Sequence, residues 1–241
     1  MRSIRYQEIA EELRELARSA NAGTVLPSES ELSAQFSASR VTIRRALEIV
    51  RDDGLIAARQ GFGWFVATEP VRQRLERLGT IEAQLESSGR HPGRRVIEFA
   101  FDAPPPHVRA ALGTDRVLRV KRLNLADGEP FALVSVWCPA ELARKLSMED
   151  VQQRPFYELL DLELRGATQT IGAESAEQSD ADLLAVPVGA PLLKCRRITT
   201  DVDGTPVLVS EHLFPAHRTE FVVDLPFDEP SINPKGLRLV E

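Results

Sequence analysis

The feature that most restricts how this chain can fold is a duplication inside its second half. The segments "VRAALGTDRVLRVKRLNLADGEPFALVSVWCP" and "LLAVPVGAPLLKCRRITTDVDGTPVLVSEHLFP" align with one inserted residue. Leu118 falls on Leu193, Lys121-Arg122 on Arg196-Arg197, Asp127-Gly128 on Asp203-Gly204, and Pro139 on Pro215. Each copy reads as a helix end, a strand, an Asp-Gly turn and a return strand, because Asp-Gly tolerates the backbone angles that a tight reversal between twisted strands demands. Two such hairpins predict a pseudo-symmetric antiparallel sheet. Between them, "RPFYELLDLEL" is expected to be helical. "ATQTIGAESAEQ" is expected to be a further strand, with Thr168, Thr170, Gly172 and Glu174 on one side and Gln169, Ile171, Ala173 and Ser175 on the other.

The first seventy residues follow a different rule. From Tyr6 to Ala20, apolar residues recur at Ile9, Leu13, Leu16 and Ala20 with charges between them, the spacing of a helix packed by one face. "NAGTVLPSES" breaks that helix. Ser28 followed by Glu31 is a capping box that opens a second, short helix burying Leu32 and Phe36. After a turn at Ser37-Ala38, Ser39 or Ser37 caps a third helix. Its buried stripe is Ile43, Leu47 and Val50, and its wet side carries Arg40, Arg44 and Arg51. Beyond Gly54 the period shortens, and "LIAARQGFGWFVA" reads as a hairpin turning at Gln60-Gly61-Phe62-Gly63. Three helices and a hairpin make a winged helix-turn-helix, in which the third helix enters the major groove of DNA.

The charge of the whole chain, -6, argues against a protein that coats nucleic acid indiscriminately, yet "SASRVTIRRALEIV" gathers Arg40, Arg44 and Arg45 with Ser39 and Thr42 on one helix. Arginine pairs bidentately with guanine, and a hydroxyl reaches a base edge or a phosphate, so these residue types suit duplex recognition at that position. At these residues the chain resembles the GntR family of bacterial transcription regulators. "YQEIAEEL", "LPSESELSAQFSASRVTIRRAL" and "DGLIAARQGFGWFV" carry the likeness. It implies DNA contacts from Ser39, Arg40, Thr42 and Arg44, joined by Arg45, with Gln60 and Gly61 at the wing. Ser30 stands where many members have a DNA-contacting arginine, and Phe62 and Trp64 replace the polar residues usual at the wing.

"TEPVRQRLERLGTIEAQLESSGRHPGRR" reads as a connecting segment with one helical stretch closed by glycine. The expected division is therefore a head over 1–68, a linker over 69–93 and a second domain over 94–233. Joined to a GntR head, the doubled hairpin resembles the UTRA effector-binding domain of the HutC subfamily. The likeness implies an α+β, chorismate-lyase-like fold, a small-molecule pocket, dimerisation through this domain and no catalytic chemistry. The reading as a whole is a homodimeric, ligand-responsive repressor of double-stranded operator DNA.

The candidate effector contacts are Ser88, Arg122, Asn124, Thr170 and Glu211. Along "VLRVKRLNL", Arg122 and Asn124 share a face with Leu118 and Val120, which makes Arg122 either a cation in a partly apolar cavity or an edge-exposed arginine. A two-residue turn would set Glu211 across from Arg196, so an ion pair competes there with a ligand contact. Asn124 occupies a position where phosphate-binding members carry a second arginine. An alternative function, an enzyme using Glu211, His212 and His217 behind an accessory DNA-binding head, has no convergent nucleophile, metal or cofactor motif to support it. No cofactor or metal is expected: Cys138 and Cys195 stand apart in apolar stretches as buried free thiols. With neither a leader nor an apolar run long enough to span a membrane, the chain is expected to be cytoplasmic.

Overall fold

The computed structural model describes residues 5–59, 62–67, 69–75 and 79–225. The head begins with α1 (Arg5–Ser19), α2 (Glu29–Phe36) and α3 (Arg40–Asp52), followed by β1 (Ile56–Arg59) and β2 (Gly63–Val66). The capping box forms as the sequence predicts. The Ser28 hydroxyl accepts from the Glu31 amide while the Glu31 carboxylate accepts from the Ser28 amide. Ser39 caps α3 through the Thr42 amide, and Ser37 instead ends α2 in the left-handed conformation. The buried stripe of α1 is Ile9, Ala10, Leu13 and Ala17, with Leu16 turned outward, a one-residue rotation of the expected face. These residues close on Leu32, Phe36, Ile43, Leu47 and Val50 to form the core of the head. The loop between α1 and α2 adds to the wing, because Val25 bridges Phe65 and the Leu26 amide donates to the Trp64 carbonyl.

The connecting segment carries its expected helical stretch as α4 (Ile81–Ser87), capped by Thr80, and, before it, a strand that the sequence reading did not expect, β3 (Val71–Arg74). Then come β4 (Pro92–Asp102), α5 (Pro106–Leu112), β5 (Val117–Ala126), β6 (Glu129–Pro139), α6 (Met148–Gln153) and α7 (Phe156–Leu159). The chain continues through β7 (Leu164–Ser175), α8 (Gln178–Leu184), β8 (Pro191–Asp201), β9 (Pro206–Pro215) and β10 (Thr219–Val222). β3 runs parallel to β10, and a six-stranded antiparallel sheet has the order β4-β5-β6-β9-β8-β7. The two duplicated hairpins, β5-β6 and β8-β9, thus lie side by side at the centre of the sheet.

The hairpins differ at their tips. Asp127 and Gly128 both take positive φ in a two-residue loop, whereas the second copy spans four residues between β8 and β9 and only Gly204 of its Asp-Gly pair is left-handed. There the Asp201 carboxylate accepts from the Asp203 and Thr205 amides. The register nevertheless recovers through a shift at Thr199/Thr200, matching one at Asn124/Leu125 in the first copy. The helix expected over 154–164 is reduced to α7, with Leu160 already extended. Leu160, Leu162 and Leu164 also alternate with period two, and burial of that alternation in the sheet-side core overrides the helical reading.

The sheet has two unlike faces. One carries Leu118, Val120, Val134, Val136, Cys138 and Phe214 and is covered by α4, α6, α7 and β3. The other carries Trp137 and Val209 under α5, and Leu123 and Leu133 beside α8. Burial pushes the thiols of Cys138 and Cys195 up to about 12 and about 11, so both are inert packing residues.

Candidate functional site

In the head, the amphipathicity of α3 presents one polar surface. Ile43, Ala46, Leu47 and Val50 are buried, leaving Arg40, Val41, Arg44 and Arg45 outward. Arg44 is held bidentately by Glu29, at 3.0 and 2.7 Å, and Glu29 also accepts from the Trp64 indole at 3.4 Å. The Arg44 hydrogen bonds are the main reason the Glu29 carboxyl lies below the ordinary carboxylate range. Arg40 donates to the Ser30 hydroxyl at 2.9 Å, and the Ser39 and Thr42 hydroxyls lie 2.8 Å apart at the start of the helix. Five of the expected contacts, Ser30, Ser39, Arg40, Thr42 and Arg44, therefore form one connected surface. Arg45 lies aside from it, with its guanidinium 4.2 Å from the centre of the Tyr6 ring. Gln60 and Gly61 lie outside the described residues. Val41, overlooked in the sequence because it is apolar, is 80% exposed at the tip of this helix.

In the second domain, strand parity decides which candidates meet. Register carries Arg122 to Val134, Val134 to His212 and His212 to Cys195, so these side chains share the sheet face under α4 and α7. Arg122 and His212, with Arg197, Tyr157 and Phe156, wall a small chamber that opens into a cavity of about 500 Å³, with Gly79, Ile81, Arg197 and His212 lining both. The larger part is bounded by Gln73 and Arg74 of β3 and by Arg165 and Phe221.

Arg122 is 8% exposed on a central strand, and its Nε and one terminal nitrogen have no hydrogen-bond partner. Burial, reinforced by the neighbouring Arg94 charge, lowers its pKa to about 10, which still leaves it cationic. Glu82 supplies the facing negative charge but is already engaged. Arg94 donates to its Oε1 at 2.9 and 2.5 Å and Asn124 at 2.7 Å. Burial acts to raise the Glu82 carboxyl, but Arg94, with a backbone hydrogen bond and the Arg122 charge, outweighs it, and the carboxyl lies below its ordinary range. Burial, with Arg197 and Arg122 nearby, drives His212 down to about 3, so the ring is neutral and pairs with the Ser210 hydroxyl at 2.9 Å. Arg197 is fixed by Gln169 at 2.8 Å and by the Tyr157 hydroxyl at 3.0 Å. The chamber can accept negative charge and hydrogen-bond acceptors.

The other expected effector residues do not join it. Glu211 and Thr170 fall one residue out of phase, on the opposite sheet face, where both stand across from Arg196. Glu211 is bound there by Arg196 at 2.7 Å and His107 at 3.2 Å, so of the two readings open in the sequence the geometry forms the ion pair. Ser88 closes α4 with its hydroxyl on the Leu85 carbonyl and borders a separate depression beside Arg72 and Arg90. Asn124 is buried behind Glu82 rather than in the chamber wall. The sequence reading passed over Glu82, Tyr157, Arg197 and Ser210. His212 appeared only in the enzyme alternative, and its period-two phase with Arg122 across the repeat was the available signal. That alternative loses its geometry, since His212, Glu211 and His217 lie in three different environments. Among the described residues, no group of three or more His, Cys, Asp or Glu could hold a metal, and no helix is long and apolar enough to cross a membrane.

Residues 5–66 match the bacterial regulatory proteins of the gntR family, and residues 87–220 match the UTRA domain. The chain is 30% identical over 204 residues to the HTH-type transcriptional repressor NagR of Bacillus subtilis, covering 82% of this chain and 84% of that one. It is 32% identical over 212 residues to the HTH-type transcriptional regulator Rv0792c of Mycobacterium tuberculosis, covering 85% and 78%. The crystal structure of PhnF from Mycobacterium smegmatis shares the fold, with a TM-score of 0.61 at 23% identity over 91% of this chain and 100% of that one. With a helix-turn-helix head bearing arginines on its third helix, followed by a duplicated sheet over a cavity, the chain belongs to the HutC subfamily of GntR transcription regulators, with a DNA-binding head and an effector-binding UTRA domain.

Proposed function

We propose that this protein is a homodimeric repressor that leaves a two-fold symmetric operator when a small anionic metabolite enters the Arg122 chamber. The division of labour is a DNA-binding head over 1–68, a connection over 69–93 and an effector and dimerisation domain over 94–233. The observation that carries the effector class is the buried Arg122 guanidinium, with two nitrogens unpartnered, in the wall of the small chamber that adjoins the cavity of about 500 Å³. A buried cation keeps such donors unmade only at a large desolvation cost, and an anionic ligand offsets it. On the DNA side, Arg40 and Arg44 exchange Ser30 and Glu29 for phosphate or guanine, and Val41 offers an apolar surface to a thymine methyl. Two equivalent heads read an inverted repeat. The relative named as a repressor supports negative control.

The test starts from a duplex that the wild-type protein selects from a random-sequence pool. Arg40→Ala and Arg44→Ala should each weaken binding by roughly 1–3 kcal/mol at fixed salt with the folded fraction unchanged, and footprinting should show an inverted repeat. Inorganic phosphate, short carboxylates and sugar phosphates, each against an uncharged counterpart, are then screened by thermal shift and operator release. Stabilisation by uncharged compounds alone would overturn the anionic effector, and a direct repeat would overturn the symmetric dimer.

A further inference from the structure

We infer that the effector domain carries a receptor surface for its own wing, and that seating the wing there withholds it from DNA. The inference rests on the operator binding proposed above. Phe62 occupies the wing turn, where an aromatic side chain would stand in water on an isolated head. Instead it is 4% exposed. Its ring centre lies 4.1 Å from that of His217, and Phe65 approaches the same imidazole at 4.9 Å. Both phenylalanines belong to one apolar cluster with Leu123, Leu133 and Leu184, residues of the sheet face and of α8. The wing's aromatic character, anomalous for DNA contact, is explained by a protein partner.

Polar contacts fix the pose. Arg218 donates to the Gly23 carbonyl at 2.7 Å and to the Pro130 carbonyl, while the His217 ring lies 3.4 Å from the same Gly23 oxygen. Asn21 donates to Glu129 at 2.6 Å. Gly23 sits at φ +82, and a Cβ there would come within 2.8 Å of the Arg218 Nε, so the loop of the head and the arginine of the effector domain fit by the absence of a side chain. The contact consists of Phe62 and Phe65, flanked by Val25 and Ala57, and a few hydrogen bonds, a scale that operator binding can reverse. Phe62 cannot at once be seated on His217 and inserted into a groove, so on this inference the docked and DNA-bound poses of the wing exclude one another.

The receptor is also wired to the cavity. His217 and Arg218 lie in the turn that leads directly into β10, and β10 pairs with β3. That pair contributes Phe221, Gln73 and Arg74 to the cavity wall, with Gln73 buried and its amide nitrogen unpartnered. A ligand held between Arg122 and Gln73 therefore acts on the same two-stranded ribbon that positions the receptor.

The experiment uses the full chain, without effector, and the fluorescein-labelled duplex selected by the wild type. His217→Ala lies in the effector domain and Phe62→Ala in the wing. Each should bind the duplex roughly three- to tenfold more tightly, as expected when a docked majority no longer dilutes the competent form, and the double variant no more tightly than either single one. Amide exchange over residues 63–66 should be faster in His217→Ala than in wild type. If His217→Ala does not fold, Arg218→Gln, which removes the Gly23 contact, takes its place. Wild-type operator affinity in the effector-domain variant overturns the inference, as does weaker binding confined to Phe62→Ala, which would make Phe62 a DNA contact. A wild type that selects no duplex removes the repressor reading itself, and this inference with it.

Discussion

At the scale of single residues, the most consequential is Arg122, because a guanidinium on a central strand of a sheet contributes nothing to packing that an apolar chain of equal length would not. Its cost to the unliganded fold leads to a prediction with opposite signs in two assays. Arg122→Met keeps an unbranched, flexible side chain of most of the aliphatic length, removes the desolvated charge and leaves Glu82 with Arg94 and Asn124. The unliganded protein should then be as stable as wild type or more so, by about 1 kcal/mol, while the thermal shift given by anionic ligands disappears. Urea unfolding with and without ligand measures both. Lower stability with an intact ligand response would show the arginine to be structural. The sequence revealed Arg122 because its neighbours Leu118 and Val120 fixed its face. That Glu211 faces the other way was recorded in the same repeat but passed over: Arg122 matches Arg197, and Glu211 stands across from Arg196, one residue out of phase. Adjacent His212 was the residue in phase.

Secondary-structure elements were legible where a side chain closes on its own backbone. Ser28 with Glu31, Ser39 with Thr42 and Thr80 with Ala83 are local bonds, and the first was read directly from "PSESE". They were illegible where a distant partner decides the outcome, as for β3, four residues whose only strand partner among the described residues is β10, about 150 residues further along the chain. Residues 154–164 were misassigned for the same reason: Leu160 and Leu164 fit both periods, and the core chooses between them. The capping box has a measurable weight. Ser28→Ala should destabilise the head by about 1 kcal/mol, whereas Ser28→Asp, which keeps the acceptor, should cost little. Thermal melts of the two variants compare them. Equal losses would mean that α2 is held by Leu32 and Phe36 alone.

For the molecule as a whole, two histidines make stability depend on pH. Burial and nearby guanidinium groups, Arg197 and Arg122 for His212 and Arg218 and Arg59 for His217, bring both to about 3 from an ordinary value of 6.5. In the interval between these values the unfolded chain binds more protons than the folded one, so stability is complete above pH 6.5 and falls as pH drops towards 3. The slope is about 1.4 kcal/mol per pH unit for each imidazole. Denaturant titrations from pH 7 to pH 5 should show the midpoint falling, and His212→Gln should remove part of the slope; a flat profile would contradict the burial of both rings. The β3-β10 pair carries a different lesson, for anyone building hybrid regulators. The stretch that joins head to sensor is hydrogen-bonded into the sensor, so a transplanted head must be fused ahead of Val71. A junction at Pro92 would strip β10 of its neighbour and leave a raw, adhesive strand edge, and the hybrid would be prone to aggregate before its specificity could be assayed.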